Sequence, residues 1–260
     1  MNIIEMRDAI DSFLDRTKSA RFTDAVYCQH MNNAITDDFR DRTSNIKQAR
    51  MYDFQSTEQV MRDLYTLVVD NAPLVPSGNN LPYPADYRYF GRLLVTVDGY
   101  TTYPLPCEYR QEGPLLKDAF RKPSKTKFYY VETDTAFRIL HGGTTLQAGS
   151  FSYMKYPAIV TMGQESDKVN DTGVLQTNTQ YIVYEDCVYN GTSYPSGAIF
   201  TTGLVTTLTD GIVIPTSVIV NCDMPVNIQA DIVKKAAETM ELSISEFNKS
   251  QLLQQQSEQD

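Results

Sequence analysis

The sequence predicts an α+β fold: N-terminal helices and a long C-terminal helix flanking an antiparallel β meander, with a small β module inserted after the meander. Three observations carry this expectation. From Phe128 to Met162 apolar and polar residues alternate with period two, through Phe128, Tyr130, Phe137, Ile139, Phe151 and Tyr153, the mark of half-buried strands. On both sides of that stretch apolar residues recur at helical spacing. Between residues 175 and 216 short apolar runs alternate with Asn190-Gly191 and Asp210-Gly211, both hairpin pairs. The expected parts are residues 1–127 as a mainly helical portion, 128–162 as the meander, 163–220 as the inserted module, and 221–260 as the C-terminal helix with a polar tail.

Taken in order, a first helix is expected over residues 2–20, where Ile3, Met6, Ile10, Phe13 and Leu14 form one stripe. Thr23 is a fit N-cap for a second helix reaching Ser44, with Asp24 in its first turn and Phe22 placed as a hydrophobic staple. Ser56-Thr57-Glu58-Gln59 is a capping-box pattern ahead of Val60, Leu64 and Leu67, which predicts a third helix to Val69. Residues 71–84 hold four prolines and Ser77-Gly78-Asn79-Asn80, and read as punctuation. Asp86 to Val95 fits helix or strand; Pro84 followed by Asp86 tips the expectation to helix. A turn follows at Asp98-Gly99, then an extended connection over 101–109 and a short helix over 115–120. Within the meander, turns are expected at Thr133-Asp134, His141-Gly142-Gly143 and Ala148-Gly149. Residues 163–173 read as a polar loop. The module then offers strands at 181–184, 187–189, 198–200 and 212–214. The last helix starts near Pro225 and uses Ile228, Ile232, Val233, Ala236, Met240 and Ile244, and from Lys249 the polar tail is expected to fray.

The chain has 260 residues, a formal charge of −9 and an isoelectric point near 4.8. Such a chain does not hold nucleic acid by counterion release, which needs clustered Lys and Arg. The local basic spot Arg121-Lys122, with Lys125 and Lys127, reads as a solvated loop. Cys28, Cys107, Cys187 and Cys222 are far apart without a C-x-x-C pair, and are expected to be buried free thiols. There is no Trp but 17 Tyr, a residue suited to half-buried surfaces. No apolar run approaches the ~18–20 residues that span a bilayer, and the first residues lack the pattern of a signal peptide, so synthesis in the cytosol without membrane association is expected.

No catalytic, cofactor-binding or metal-ligating residue is assigned. His30 and His141 are the only histidines, and neither shares a motif with Cys, Asp or Ser. Asp37, Asp38 and Asp41 cluster on the second helix, yet Arg40 and Arg42 interleave with them, as on a solvated face. Asp8, Asp11 and Asp15 receive the same reading. No phosphate-cradling loop, nucleophile elbow or zinc-protease motif occurs, and a non-enzymatic protein without cofactors is expected.

One resemblance adds to this. Met31-Asn32-Asn33-Ala34 lies in an N-terminal helix, followed by the helix from Ser56, the Leu81-Pro82 … Asp86-Tyr87 segment and Ala119-Phe120-Arg121-Lys122-Pro123-Ser124. Ser152-Tyr153-Met154-Lys155-Tyr156-Pro157 and the Ile228–Ile244 helix complete the series. This arrangement resembles the head–tail connector, or neck ring and portal adaptor, proteins of short-tailed bacteriophages, particularly those of crAss-like phages. Val188-Tyr189-Asn190-Gly191-x-x-Tyr194-x-x-Gly197-x-x-Phe200 is similar to a β insert of phage virion proteins. The resemblance implies a structural virion protein, assembled in the host cytoplasm into a homo-oligomeric ring of twelve copies at the head–tail junction. Its implied partners are the portal protein and other neck or tail proteins, with genome DNA passing through unbound. A twelve-copy ring would present roughly a hundred negative charges to that DNA. Two readings compete: a β-rich surface or carbohydrate-binding module on a helical base, and a metal-dependent nuclease built on Asp37, Asp38 and Asp41.

Overall fold

A computed structural model describes residues 1–14, 22–44, 60, 62–170, 174–203 and 208–257. The fold is α+β. In chain order, α1 (Ile3–Phe13) and α2 (Asp24–Thr43) precede β1 (Val68–Leu74), β2 (Asn80–Pro82), β3 (Tyr87–Val97), β4 (Tyr100–Thr102) and β5 (Leu105–Pro106). There follow α3 (Glu112–Lys117), β6 (Tyr129–Glu132), β7 (Ala136–Leu140) and β8 (Leu146–Lys155). The chain ends with β9 (Gln180–Tyr189), β10 (Thr192–Tyr194), β11 (Ile199–Thr201), β12 (Leu208–Pro215) and α4 (Val226–Ser257). Two compact units result: Leu64–Tyr156, and Met1–Asp63 together with Pro157–Asp260.

The continuous unit, Leu64–Tyr156, is built from two four-stranded sheets, ordered β1-β8-β3-β4 and β2-β7-β6-β5, antiparallel except for the β5–β6 pair. Both sheets contribute to one core. Phe137 of one sheet meets Phe151 of the other edge to face, ring centroids 4.9 Å apart, and also touches Tyr83, Phe90 and Tyr130. All six residues that carry the alternation between Phe128 and Tyr153 are buried here. The stretch does not form one meander, however: β6 and β7 lie in one sheet and β8 in the other.

Three expectations in this unit are corrected. Residues 87–95 belong to β3, not a helix, because Leu93, Val95 and Val97 bury one face while the strand pairs with β8 along its length. Ala148-Gly149 is no turn; β8 runs through it. Gly149 is needed because a Cβ there would stand 2.6 Å from the Leu81 side chain, which is fully buried. The punctuation at 71–84 contains the end of β1 and all of β2. Pro73 is tolerated since β1 is an edge strand, and Asn71, at φ 53°, sits in its bulge. The Asp98-Gly99 turn is present, with both residues at positive φ.

In the other unit, β9 is the hub of a sheet that it shares with β10, β11 and β12. Asn190 and Gly191, at φ 50° and 75°, make the expected two-residue turn. The strands expected at 181–184 and 187–189 are one continuous β9. Asp210-Gly211 is no hairpin but a bulge inside β12, where Gly211 has φ 89° and a Cβ would lie 2.4 Å from the Asp186 carbonyl oxygen.

The helices of this unit bury matching stripes: Ile3, Met6 and Ile10 on α1, Met31, Ile35 and Phe39 on α2, and Ile228, Ile232 and Met240 on α4. Asn2 and Glu5 form a reciprocal capping box at α1. Thr23 occupies the N-cap of α2 without a side-chain hydrogen bond, and Phe22 packs edge-on against Tyr27 as the staple. Of the third helix expected over 56–69, residues 56–59 and 61 lie outside the described residues, while 60, 62 and 63 are helical. Its end is corrected: Tyr65–Leu67 is a 3₁₀ turn and Val68 opens β1. The tail is corrected too, since α4 continues to Ser257. Leu and Gln are good helix formers, and extending a nucleated helix costs little.

The units divide near residues 63 and 156, not near 127 and 162 as expected. Strands before residue 128 supply half of the two-sheet core. The sheet of the 163–220 segment instead shares a unit with the helices. Two variants of the β9–β12 sheet separate steric need from simple turn preference. Gly211→Ala, strained and crowded by backbone, is expected to cost about 2–3 kcal/mol, and Gly191→Ala, with open space, about 1 kcal/mol; thermal denaturation would show a clear gap between the two melting temperatures.

Candidate functional site

Charge is divided unevenly between the two units. Leu64–Tyr156 carries 10 Lys and Arg against 8 Asp and Glu, a formal +2, while the rest carries 13 against 24, a formal −11. The acidity of the chain is therefore a property of one unit.

The carboxylates singled out as a nuclease site are paired. Asp37 meets Arg40 at 3.5 Å, Asp38 meets Arg42 at 2.7 Å, and Asp41 meets Lys235 of α4 at 3.1 Å. Asp8 pairs with Arg7 at 2.6 Å, and Asp11 accepts a hydrogen bond from the Tyr27 hydroxyl; Asp15 lies outside the described residues. His30 Nδ1 lies 3.0 Å from Thr239 Oγ1 of α4, and burial lowers its pKa, favouring the neutral ring. His141 Nε2 lies 3.2 Å from Asn79 Oδ1. All four cysteines are free thiols, and burial raises each pKa, so none is an activated nucleophile. Among the described residues no three His, Cys, Asp or Glu side chains are grouped to hold a metal ion, and no helix is long and apolar enough to cross a membrane.

A polar knot that sequence reasoning missed joins α1, α2 and β9 within the acidic unit. The Tyr184 hydroxyl donates to Asp24 Oδ1 at 2.6 Å, and Lys168 Nζ reaches Asp24 Oδ2 at 2.8 Å. Two cations face the Tyr184 ring, Arg7 at 4.1 Å and Lys168 at 3.9 Å from its centroid. Arg7 also donates to the Tyr184 carbonyl oxygen at 3.1 Å. Burial acts to lower the Arg7 pKa, but Asp8 and the neighbouring Tyr184 and Asp24 outweigh it and raise it. No spacing in the sequence announces this knot, because its members come from residues 7, 24, 168 and 184. Its side chains are satisfied by one another, and they tie α1, α2 and β9 together.

Two surface features have the opposite character. The first is a cleft of about 350 Å³ between β9, β10 and β12, lined by Val188, Tyr194 and Pro195 together with the carboxylates of Asp186 and Asp210. Asp186 accepts from the Ser196 N–H at 2.7 Å and Asp210 from the Gly211 N–H at 2.9 Å, but neither makes an ion pair among the described residues. Both carboxylates, after burial, help raise the Cys187 pKa.

The second feature is the loop after α3 in the other unit. Phe120 is 95% exposed, and Arg121, Lys122 and Lys125 beside it are exposed and make no ion pair among the described residues. The loop is held by its own hydrogen bonds. Asp118 accepts from the Phe120 and Arg121 N–H groups at 2.8 and 3.0 Å, the Tyr129 hydroxyl donates to the Arg121 carbonyl at 2.8 Å, and the Gly142 N–H donates to the Ser124 carbonyl at 3.1 Å. A Cβ on Gly142 would stand 2.8 Å from Ser124 Cα. The basic character of this loop was legible in the sequence; its rigidity was not.

Compared with known proteins, the chain matches no family model and no curated protein.

Two measurements probe these arrangements. Asp24 and Lys168 side chains are 11% and 12% exposed, so Asp24→Ala is expected to cost about 3 kcal/mol and Tyr184→Phe about 1 kcal/mol, read as shifts of the urea midpoint. The N–H bonds from Phe120 and Arg121 hold the Asp118 pKa below its usual 3.8. Asp118 therefore supports the loop fully above the unfolded carboxylate pKa and loses that support as pH falls through the depressed folded value. The Phe120 amide shift should accordingly stay constant down to about pH 4 and move only below it, whereas Asp118→Ala should abolish the transition.

Proposed function

We propose that this chain is a structural virion protein that forms an oligomeric ring at the head–tail junction of a short-tailed phage, linking the capsid portal to the tail and lining the DNA channel. The observation that carries the reading is the division of charge. A unit at formal −11, rich in helix, suits a wall that repels phosphate as DNA passes. A unit at formal +2 suits contact with acidic protein surfaces, its own copies included. The pairing of Asp37, Asp38 and Asp41 with Arg40, Arg42 and Lys235 weighs against the nuclease reading, since a cation site would have to displace those partners. The sequence resemblance supplies the ring of twelve and the portal as neighbour.

A second reading, a carbohydrate- or surface-binding module, draws on Tyr100, Tyr103 and Tyr109, which are exposed on the two-sheet unit and suit stacking on sugar rings. Quantitative mass spectrometry of purified particles decides between the two. A connector is expected at the copy number of the portal protein; a chain abundant in infected cells but absent from particles, and retained on glycan arrays as a monomer, would replace the ring reading with the second.

A further inference from the structure

We propose that the cleft between β9, β10 and β12 receives the Phe120 loop of a second copy of this chain, in a head-to-tail contact. The proposal rests on the ring reading and names the surfaces that would close the ring. A phenylalanine left 95% exposed on a loop fastened by Asp118, Tyr129 and Gly142 is preorganised, so docking costs little ordering entropy. Buried aromatic anchors of this kind dominate interface energies.

The occupant is identified by charge and shape. Phe120 is followed at once by Arg121 and Lys122, so what receives it should offer an apolar floor beside carboxylates that hold no cation. The cleft offers both: Val188, Tyr194 and Pro195 with Asp186 and Asp210, in about 350 Å³. The loop belongs to the formal +2 unit and the cleft to the formal −11 unit, so like surfaces repel and unlike surfaces attract between copies. A contact that joins two different surfaces is heterologous, and repetition generates a closed ring or an open filament. The same pairing gives the β9–β12 sheet a role, as the socket of the assembly.

The test uses two full-length variants that each lose one surface. The loop variant combines Phe120→Ala, Arg121→Gln and Lys122→Gln, none of whose side chains is part of a buried core. The cleft variant combines Asp186→Asn and Asp210→Asn, which retain an acceptor for the Ser196 and Gly211 N–H groups. Native mass spectrometry and sedimentation at low salt are expected to show the wild type assembling and each variant alone weakened by more than about tenfold. An equimolar mixture should form a dimer and nothing larger, because only one intact loop and one intact cleft remain to meet; that dimer also proves both variants folded. If the wild type assembles and the variants assemble as well as it does, this contact is overturned while the ring reading stands. If the mixture gives the dimer but the wild type forms only open filaments, the contact is upheld and the ring reading is overturned. A wild type that stays monomeric throughout overturns both.

Discussion

The aromatic contact between Phe137 and Phe151 is the constraint on which the continuous unit depends. Each ring belongs to a different sheet, and around them Tyr83, Tyr87, Phe90, Tyr130 and Tyr153 are arranged mostly edge to face. Such geometry sets the rings' negative faces against positive edges and adds to the burial itself. Neither sheet could bury its apolar side alone. Because β6 follows directly from the loop that carries Phe120, and Tyr129 on β6 holds that loop through its hydroxyl, the exposed anchor inherits its fixed position from this core.

The acidic unit is fastened differently. Its helices share apolar stripes with α4, and a polar knot ties them to the β9 sheet, with Asp24 accepting from Tyr184 and Lys168 while Arg7 and Lys168 flank the tyrosine ring. Deep charges are costly to strand, so such a joint tolerates one geometry and few substitutions. It also explains why a net-acidic unit keeps cations in its interior: they offset carboxylates that would otherwise repel at close range, leaving Asp186 and Asp210 to face outward.

Much of the architecture was legible in the chain. Period two marked Phe128, Tyr130, Phe137, Ile139, Phe151 and Tyr153, all of which are core; helical spacing marked α1, α2 and α4; Asn190-Gly191 marked its turn. The failures have physical causes. Asp86–Val95 resembled a helix start because local propensity cannot register that β8 waits to pair with it. Gly149 and Gly211 resembled turns because glycine signals both a free backbone and a crowded one, and only the neighbours Leu81 and Asp186 tell them apart. Sheet membership, and with it the true division of the chain, depends on pairing between distant segments such as β1 and β8, which no window of sequence contains. The polar knot was hidden for the same reason, whereas the basic loop was visible but its stiffness, resting on Asp118 and Gly142, was not.

The interrupted unit has a consequence for synthesis on the ribosome. Its first part, residues 1–63, emerges long before the second, and between them the whole of Leu64–Tyr156 must be made. That intervening unit is continuous, and its first and last strands, β1 and β8, pair antiparallel, so its completion draws its two ends side by side. Folding it shortens the loop that separates the early helices from α4 and from the β9 sheet, and thereby lowers the entropy cost of their meeting. Until then α1 and α2 lack the apolar partner supplied by Ile228, Ile232 and Met240. The two-sheet unit thus serves as an internal clamp in biogenesis, and damage to it would leave the flanking halves as exposed, aggregation-prone strangers during translation.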